Sequence, residues 1–288
     1  MRRLRPIRSL KMSHDISEVR PAPQSTASPA SHVRFRATGF NPKANPVAAW
    51  GFFVAVIALW QLGSSTGVIS ELAMPSPVAV AKALWQLIVT GDLWLHLGAS
   101  LQRLVGGWIM GTVAGLFVGF LVGMFSWARS PGVAFVSALF PIPKIALLPL
   151  FIIWFGIGEP SKFATIAFGV FFPTVINTFG GVDNVQRNLI RMGQSFDLPM
   201  WSVIRKIILP GALPTILSGF RISSSIAIIL LIAAEMIGAQ YGIGALILAA
   251  GNLYQTDQLI AGVVVLSLLG LCVSWLLGRL DRWLLGWR

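Results

Sequence analysis

Apolar runs of roughly 20 residues, the length that crosses a bilayer as a helix, alternate along the chain with short polar segments. The pattern predicts six membrane-spanning helices at residues 46–63, 101–125, 131–158, 163–179, 222–239 and 258–278. Helical spacing of apolar positions in 71–97 predicts an amphipathic helix on the outer face, with His96 as an interfacial residue and not a metal ligand. Residues 159–162 form a short outer loop, and 240–257 contain a re-entrant or interfacial helix. We therefore predict an all-α polytopic membrane domain over 44–288.

Composition supports a membrane protein. Hydrophobic residues make up 55% of the 288 positions and charged residues 11%, and the mean hydropathy is +0.76. The net charge is +12, but nine of the 22 Lys and Arg lie in the first 43 residues. We interpret that cluster as an orientation signal on a disordered cytoplasmic tail, 1–43, and not as a nucleic-acid site. With Arg279, Arg282 and Arg288 at the other end, both termini are predicted to face the cytoplasm.

The single cysteine, Cys272, lies inside an apolar run. One cysteine excludes a disulfide framework, and no Cys/His pattern indicates a metal site. We expect Cys272 to be a small core residue.

Glycines recur every four residues in the second predicted span. On a helix they form one bare ridge where another backbone can approach closely, either inside the bundle or along a dimer seam. Arg103, near the outer end of this span, is interpreted as an anchor to lipid headgroups. The ridge consists of Gly107, Gly111, Gly115, Gly119 and Gly123.

Prolines interrupt the third predicted span. Pro141, Pro143 and Pro149 fall well inside it, so the helix must kink or break, and broken helices at membrane depth tend to line a cavity. Lys144 sits in the break, either as a functional cation or as a lysine that reaches back to the cytoplasmic interface. Glu235, near the end of the fifth span, is a second candidate for the translocation path, although a carboxylate that accepts backbone hydrogen bonds is the simpler interpretation.

The segment between the fourth and fifth spans is too polar to cross a bilayer and too amphipathic for a plain linker. Its basic residues place the insert, 183–212, in the cytoplasm. Asp197 and Pro199 favour a helix start, and Pro210 and Pro214 stiffen the link to the next span. A helix over 199–208 has an apolar side suited either to a partner's groove or to a lipid surface. That side contains Trp201, Ile204, Ile207 and Ile208, with Arg205 and Lys206 flanking it.

Part of the insert resembles the cytoplasmic EAA loop of ABC-importer permeases. The loop pattern is EAA, three residues, Gly, nine residues, Ile, one residue and Leu-Pro. The stretch RMGQSFDLPMWSVIRKIILP matches its spacing and its Ile-x-Leu-Pro end, while residues 191–193 depart from the triplet and Asp197 replaces the glycine. A left-handed backbone at that position would be tolerated less well by Asp than by Gly. The resemblance implies that the following residues couple to an ATPase: Arg191, Gly193, Asp197, Pro199, Trp201, Ile204, Arg205, Ile207, Leu209 and Pro210.

Two further stretches, PIPKIALLPLFIIWFGIGEPSK and LPGALPTILSGFR, resemble the nitrate, aliphatic sulfonate and taurine branch of these permeases. The resemblance implies a type I importer bundle in the bacterial inner membrane that imports a small anion such as a sulfonate, taurine, nitrate or bicarbonate. It also implies a second copy of the permease, two cytoplasmic ATP-binding subunits and an external solute-binding protein. The chain has no GxxxxGK[ST] loop, so we expect no catalytic residue and no cofactor here, with ATP and Mg²⁺ on the partner subunit.

Two other classes of function remain open from the residues alone. A secondary transporter would show inverted repeats and intramembrane carboxylates, and the sequence shows no clear repeat. A structural subunit that only recruits partners would explain the insert but not the proline-broken span.

Overall fold

The computed structural model describes residues 46–286, and every regular element in that range is helical. The tail predicted over 1–43 and Arg288 lie outside these residues. Eleven α-helices follow one another: α1 (Pro46–Ser65), α2 (Pro77–Thr90), α3 (Asp92–Met124), α4 (Ser126–Leu139), α5 (Leu148–Phe155), α6 (Glu159–Asp183), α7 (Arg187–Ser195), α8 (Met200–Val203), α9 (Leu209–Met236), α10 (Ile243–Asn252) and α11 (Thr256–Leu284).

Five helical segments in the described range are long and apolar enough to cross a membrane, and the bent pair around the proline break makes up to six. The prediction of six spans agrees with this count when the bent pair is one span. The short helix predicted within 240–257 is confirmed as α10.

Several predicted boundaries were wrong. The helix expected over 71–97 is divided at Gly91, whose φ of +86° suits glycine, and α3 begins at Asp92. With 33 residues, α3 is about 50 Å long. The loop expected at 159–162 is the first turn of α6. The fifth span starts well before residue 222, because helix runs unbroken from Met200 to Met236.

The predicted break in the third span is confirmed. Helix α4 and the helical pair Lys144–Phe155 meet at an angle of 89°. Pro141 and Pro143 lie in the turn between them, followed by a 3-10 turn over Lys144–Leu147. Pro149 falls in the first turn of α5, where the missing N–H costs no hydrogen bond.

The glycine ridge of α3 lies against α6 of the same chain. A Cβ atom at Gly111 would lie 2.4 Å from the carbonyl oxygen of Ala167, and one at Gly119 would lie 2.5 Å from the Cβ of Thr178. The other ridge glycines also lie close to α6, and the residue numbers in contact keep a constant offset, so the two helices run parallel. We call this contact between the ridge and α6 the seam. Backbones this close gain van der Waals contact that larger residues would prevent.

The opposite side of α6 packs against α9. A Cβ atom at Gly219 would lie 2.5 Å from the Cβ of Asn177, and one at Gly181 would lie 2.9 Å from the carbonyl oxygen of Ala212. Ile166 and Val170 of α6 are fully buried. Helix α6 is therefore the packed centre of the bundle.

Cys272 is exposed on α11, so its assignment to the core was wrong. An apolar run alone does not say which side of a spanning helix faces the bundle, because lipid-facing positions are as apolar as buried ones.

The seam predicts different outcomes for two alanine substitutions in α3. Gly111→Ala should destabilise the permease by about 1 to 3 kcal/mol, because the new methyl group meets backbone that cannot move aside. Gly98→Ala is the matched control, since a Cβ there has nothing within 4 Å. Thermal unfolding of the purified permease in detergent measures both. Equal melting temperatures for the two variants would contradict the seam.

Candidate functional site

A cavity of about 300 Å³ lies at the proline break. Pro141, Pro143 and Lys144 contribute one side of it, and Ile229 of α9 and Gly169 of α6 contribute to the other. The break thus faces the two most tightly packed helices of the bundle. Apart from Lys144, the side chains on its wall are apolar.

The ammonium group of Lys144 is held beside two aromatic rings. It donates a hydrogen bond to the carbonyl oxygen of Phe140 and lies 4.7 Å from the centroid of the Phe140 ring. The ring of Phe172, a fully buried residue of α6, lies 5.3 Å away. Cation–π contacts of this kind hold a lysine in place without neutralising its charge. An ammonium has three donors, so others remain for a ligand.

Two of the residues predicted for the path lie elsewhere. Pro149 begins α5 and is not among the residues that line this cavity. Glu235 is 1% exposed and belongs to a cluster of charged and polar side chains at the end of the bundle where α3 and α6 begin. We call this group the ionic cluster: Ser100, Arg103, Glu159, Lys162 and Glu235.

Arg103 is the centre of the ionic cluster. Its Nη1 donates to Oε1 of Glu235 over 2.8 Å, and its Nη2 and Nε donate to the two oxygens of Glu159 over 2.6 and 2.7 Å. With 4% of its surface exposed, Arg103 does not reach lipid headgroups, and that prediction was wrong. A buried arginine with two carboxylates links α3, α6 and α9 in one network.

Glu235 also accepts hydrogen bonds from outside its own helix. Ser100 Oγ donates to Oε1 over 2.7 Å, and the main-chain N–H of Gly244 donates to Oε2 over 2.9 Å. The predicted backbone hydrogen bond to Glu235 is therefore confirmed. The main-chain N–H of Gly242 meets Nδ1 of His96 at 3.0 Å, which ties the α9–α10 loop to α3.

The insert folds as α7, a tight turn and a second helical stretch. Asp197, at the position of the pattern's glycine, has a φ of +50°, so this turn does use the left-handed region. Aspartate tolerates that region better than most residues because its short side chain can bond locally. The N-cap residue of α8 is Pro199, without a side-chain hydrogen bond, so Asp197, which we expected to favour the helix start, does not cap this helix.

The predicted apolar side of the insert divides into two parts. Ile207 packs on α7, with its Cδ1 3.1 Å from the position that a Cβ atom at Gly193 would take. Ile204 and Ile208 are also partly buried. Trp201 instead is 70% exposed. The local helix is π-helical over Ile204–Ile208, which changes the angular spacing assumed for a regular helix.

Further apolar side chains of the insert are exposed, as Trp201 is. Sequence reasoning missed them because they fall in a polar segment and their spacing is interrupted by the turn. Arg191, Arg205 and Lys206 are exposed beside them. We call the apolar set the insert face: Met192, Phe196, Leu198, Met200 and Trp201.

A groove of about 520 Å³ separates the insert from the ends of α3 and α6. Leu198 and Met200 of the insert face contribute to it, as does Asp183 at the end of α6. Arg129 of α4 holds that carboxylate through two hydrogen bonds of 2.6 and 2.7 Å. This pair also escaped the sequence analysis, because its partners are 54 positions apart.

Comparison with known proteins agrees with this architecture. Residues 111–286 match the family described as binding-protein-dependent transport system inner membrane component. The putative aliphatic sulfonates transport permease protein SsuC of Escherichia coli K12 is 38% identical over 241 residues, which cover 84% of this chain and 92% of that protein. The taurine transport system permease protein TauC of the same organism is 34% identical, covering 82% and 88%.

A solved structure shares the fold. The methionine ABC transporter MetNI in an inward facing conformation superposes with a TM-score of 0.57 at 21% identity, covering 67% of this chain and 97% of that one. At this level of identity the likeness concerns the fold alone. It confirms the predicted type I importer-like helical bundle.

The ionic cluster predicts a large cost for removing its central cation. Arg103→Met leaves Glu235 buried without its countercharge and should destabilise the permease by about 3 to 5 kcal/mol. Arg129→Met is the control, because its exposed pair with Asp183 should contribute only about 0 to 1 kcal/mol. Chemical denaturation in detergent compares the two. The cluster has no structural importance if both variants unfold at the same denaturant concentration.

Proposed function

Because the chain belongs to the binding-protein-dependent transport system inner membrane components, we propose that it imports a small anion of the sulfonate, taurine, nitrate or bicarbonate type. It is a multi-pass permease of the inner membrane and belongs to the ABC transporter class. The proposed substrate class follows from relatives whose names specify aliphatic sulfonates and taurine.

The translocation path runs, in this proposal, past the proline break. Pro141 and Pro143 keep this part of the chain out of a continuous helix, and Lys144 presents a charge to the cavity they help to form. Pro149 starts the helix on the far side of the break. Glu235 contributes indirectly, by holding α9 to α3 through Arg103.

The observation that carries the proposal is the unbroken helix from Met200 to Met236. One end bears the exposed Trp201, and the other half carries Ile226, Ile229 and Leu230 of the cavity wall. A displacement of the insert therefore moves the cavity wall directly. That is the connection an ATP-driven importer needs between its motor and its path.

We assign the ATPase contact to the insert face together with the residues that shape it. Trp201 and Arg205 present their side chains outwards, whereas Gly193 and Ile207 pack the two halves of the insert together. The complete proposed coupling set is Arg191, Gly193, Asp197, Pro199, Trp201, Ile204, Arg205, Ile207, Leu209 and Pro210.

The working importer, in this proposal, contains two permease copies, two cytoplasmic ATP-binding subunits and an external solute-binding protein. ATP and Mg²⁺ act on the ATP-binding subunits, since this sequence has no phosphate-binding loop. A transporter driven by an ion gradient is not favoured. Glu159 and Glu235, the acidic residues of the ionic cluster, are both engaged by Arg103.

In this proposal the insert and both termini face the cytoplasm. Labelling of single cysteines tests the orientation of the insert. In a Cys272→Ala background, Ser195→Cys in the insert should resist a membrane-impermeant maleimide in intact cells, and Ser70→Cys should react. Both positions are exposed in the fold, so only the membrane should separate them. Reaction of intact cells at position 195 would reverse the orientation.

Trp201→Ala should weaken ATPase attachment. Loss of an aromatic anchor typically costs about 2 kcal/mol or more, or roughly 30-fold in affinity. Copurification of the ATP-binding subunit and transport-coupled ATP hydrolysis in proteoliposomes measure the effect. Trp85→Ala on α2, similarly exposed at 65%, is the matched control and should leave both unchanged. If the two variants behave alike, the insert face rests on lipid and not on an ATPase.

A further inference from the structure

Among the residues that the structure describes, Lys144 has no carboxylate partner, unlike the buried cations Arg103 and Lys162. Arg103 and Lys162 pair with Glu159, Arg129 pairs with Asp183, and Arg221 of α9 pairs with Asp281 of α11. Within residues 46–286, Lys144 forms no ion pair. Its ammonium contacts only a carbonyl oxygen and two aromatic rings.

The cavity beside Lys144 also lacks an acidic side chain that would neutralise the charge of this lysine. None of the other residues that line it is acidic, and the wall facing Lys144 is formed by Gly169, Ile226, Ile229 and Leu230. A cation with an apolar wall in front of it attracts an anion more strongly than it would in water, because the local dielectric constant is low. The cavity therefore supplies no countercharge of its own for Lys144.

The size and the lining of the cavity suit a small amphiphilic anion. Its volume of about 300 Å³ is at the lower end of ligand pockets. The remaining N–H groups of Lys144 can donate to sulfonate or carboxylate oxygens in charge-assisted hydrogen bonds. The aliphatic side chains of α9 can contact the carbon part of the same molecule.

We propose that Lys144 binds the anionic head group of the transported solute, so that the permease itself selects for negative charge inside the membrane. This inference rests on the proposed function as an importer of small anions. It adds a binding residue within the permease to any selection made by an external binding protein. Because α9 supplies the facing wall, movement of the insert would open or close the site around Lys144.

The test uses the complete importer, with its ATP-binding and solute-binding subunits, reconstituted in proteoliposomes, and the probes are labelled taurine and ethanesulfonate. Lys144→Met removes the charge and should lower kcat/KM for uptake about tenfold or more, since a hydrogen bond to a charged group is lost. Lys144→Arg keeps the charge and should retain most of the uptake. Lys82→Met, an exposed lysine of α2, is the control and should transport normally.

A second pair of variants leaves Lys144 in place and guards against misfolding. Ile229 is 57% exposed and lines the cavity. Ile229→Glu supplies a competing carboxylate and should lower uptake about tenfold or more relative to Ile229→Gln, which has nearly the same shape. Copurification of the ATP-binding subunit should be equal for both variants, since residue 229 lies outside the insert.

Every outcome of these uptake measurements either supports or contradicts the proposal. Uptake that depends on charge at both positions supports the site. If Lys144→Met transports like the wild type, or if Ile229→Glu and Ile229→Gln transport equally, Lys144 merely reaches back to the membrane interface and the proposal is wrong. If the wild-type importer moves neutral solutes but neither sulfonate nor another small anion, the proposed substrate class fails with it, although the ATP-driven permease function stands.

Discussion

The close approach of α3 to α6 is the constraint on which the rest of the bundle depends. Glycine at every fourth position lets the two backbones touch, and the constant offset of the contacts fixes one register. In that register, Arg103 lies one turn before Gly107 and therefore level with the first turn of α6, where Glu159 and Lys162 occur. The ionic cluster thus follows from the seam, since a shift of one turn would separate a buried arginine from its carboxylates.

Packing on both sides of α6 decides which parts of the bundle can move together. Helix α9 is held to α6 at Gly181 and Gly219, and to α3 through Glu235. The turn between α4 and α5 has no such glycine seam and bends by 89°. We therefore expect α9 to transmit displacement of the insert as a stiff element, and the cavity at the break to change shape in response.

Local chemistry could be predicted from the sequence, and long-range pairing could not. Two prolines one residue apart in an apolar run remove two helix hydrogen bonds, so the break at Pro141 and Pro143 was predictable, and periodic glycines indicated a packing ridge. The role of Arg103 was missed because its partner Glu235 is 132 positions away. Ile207, which is half-buried, lies in a π-helical turn that the sequence pattern does not reveal, whereas the exposed Trp201 lies before that turn. The left-handed Asp197 could be anticipated only from the glycine in the resembling pattern.

In the proposed function, ATP, and not an ion gradient, drives a small anion through this permease. The most direct test is uptake of labelled taurine and ethanesulfonate by proteoliposomes that contain the permease, its ATP-binding subunit and its solute-binding protein. We expect uptake that requires enclosed ATP and all three components, and that persists when ionophores abolish every ion gradient. Uptake by the permease alone, driven by an imposed proton or sodium gradient without ATP, would contradict it.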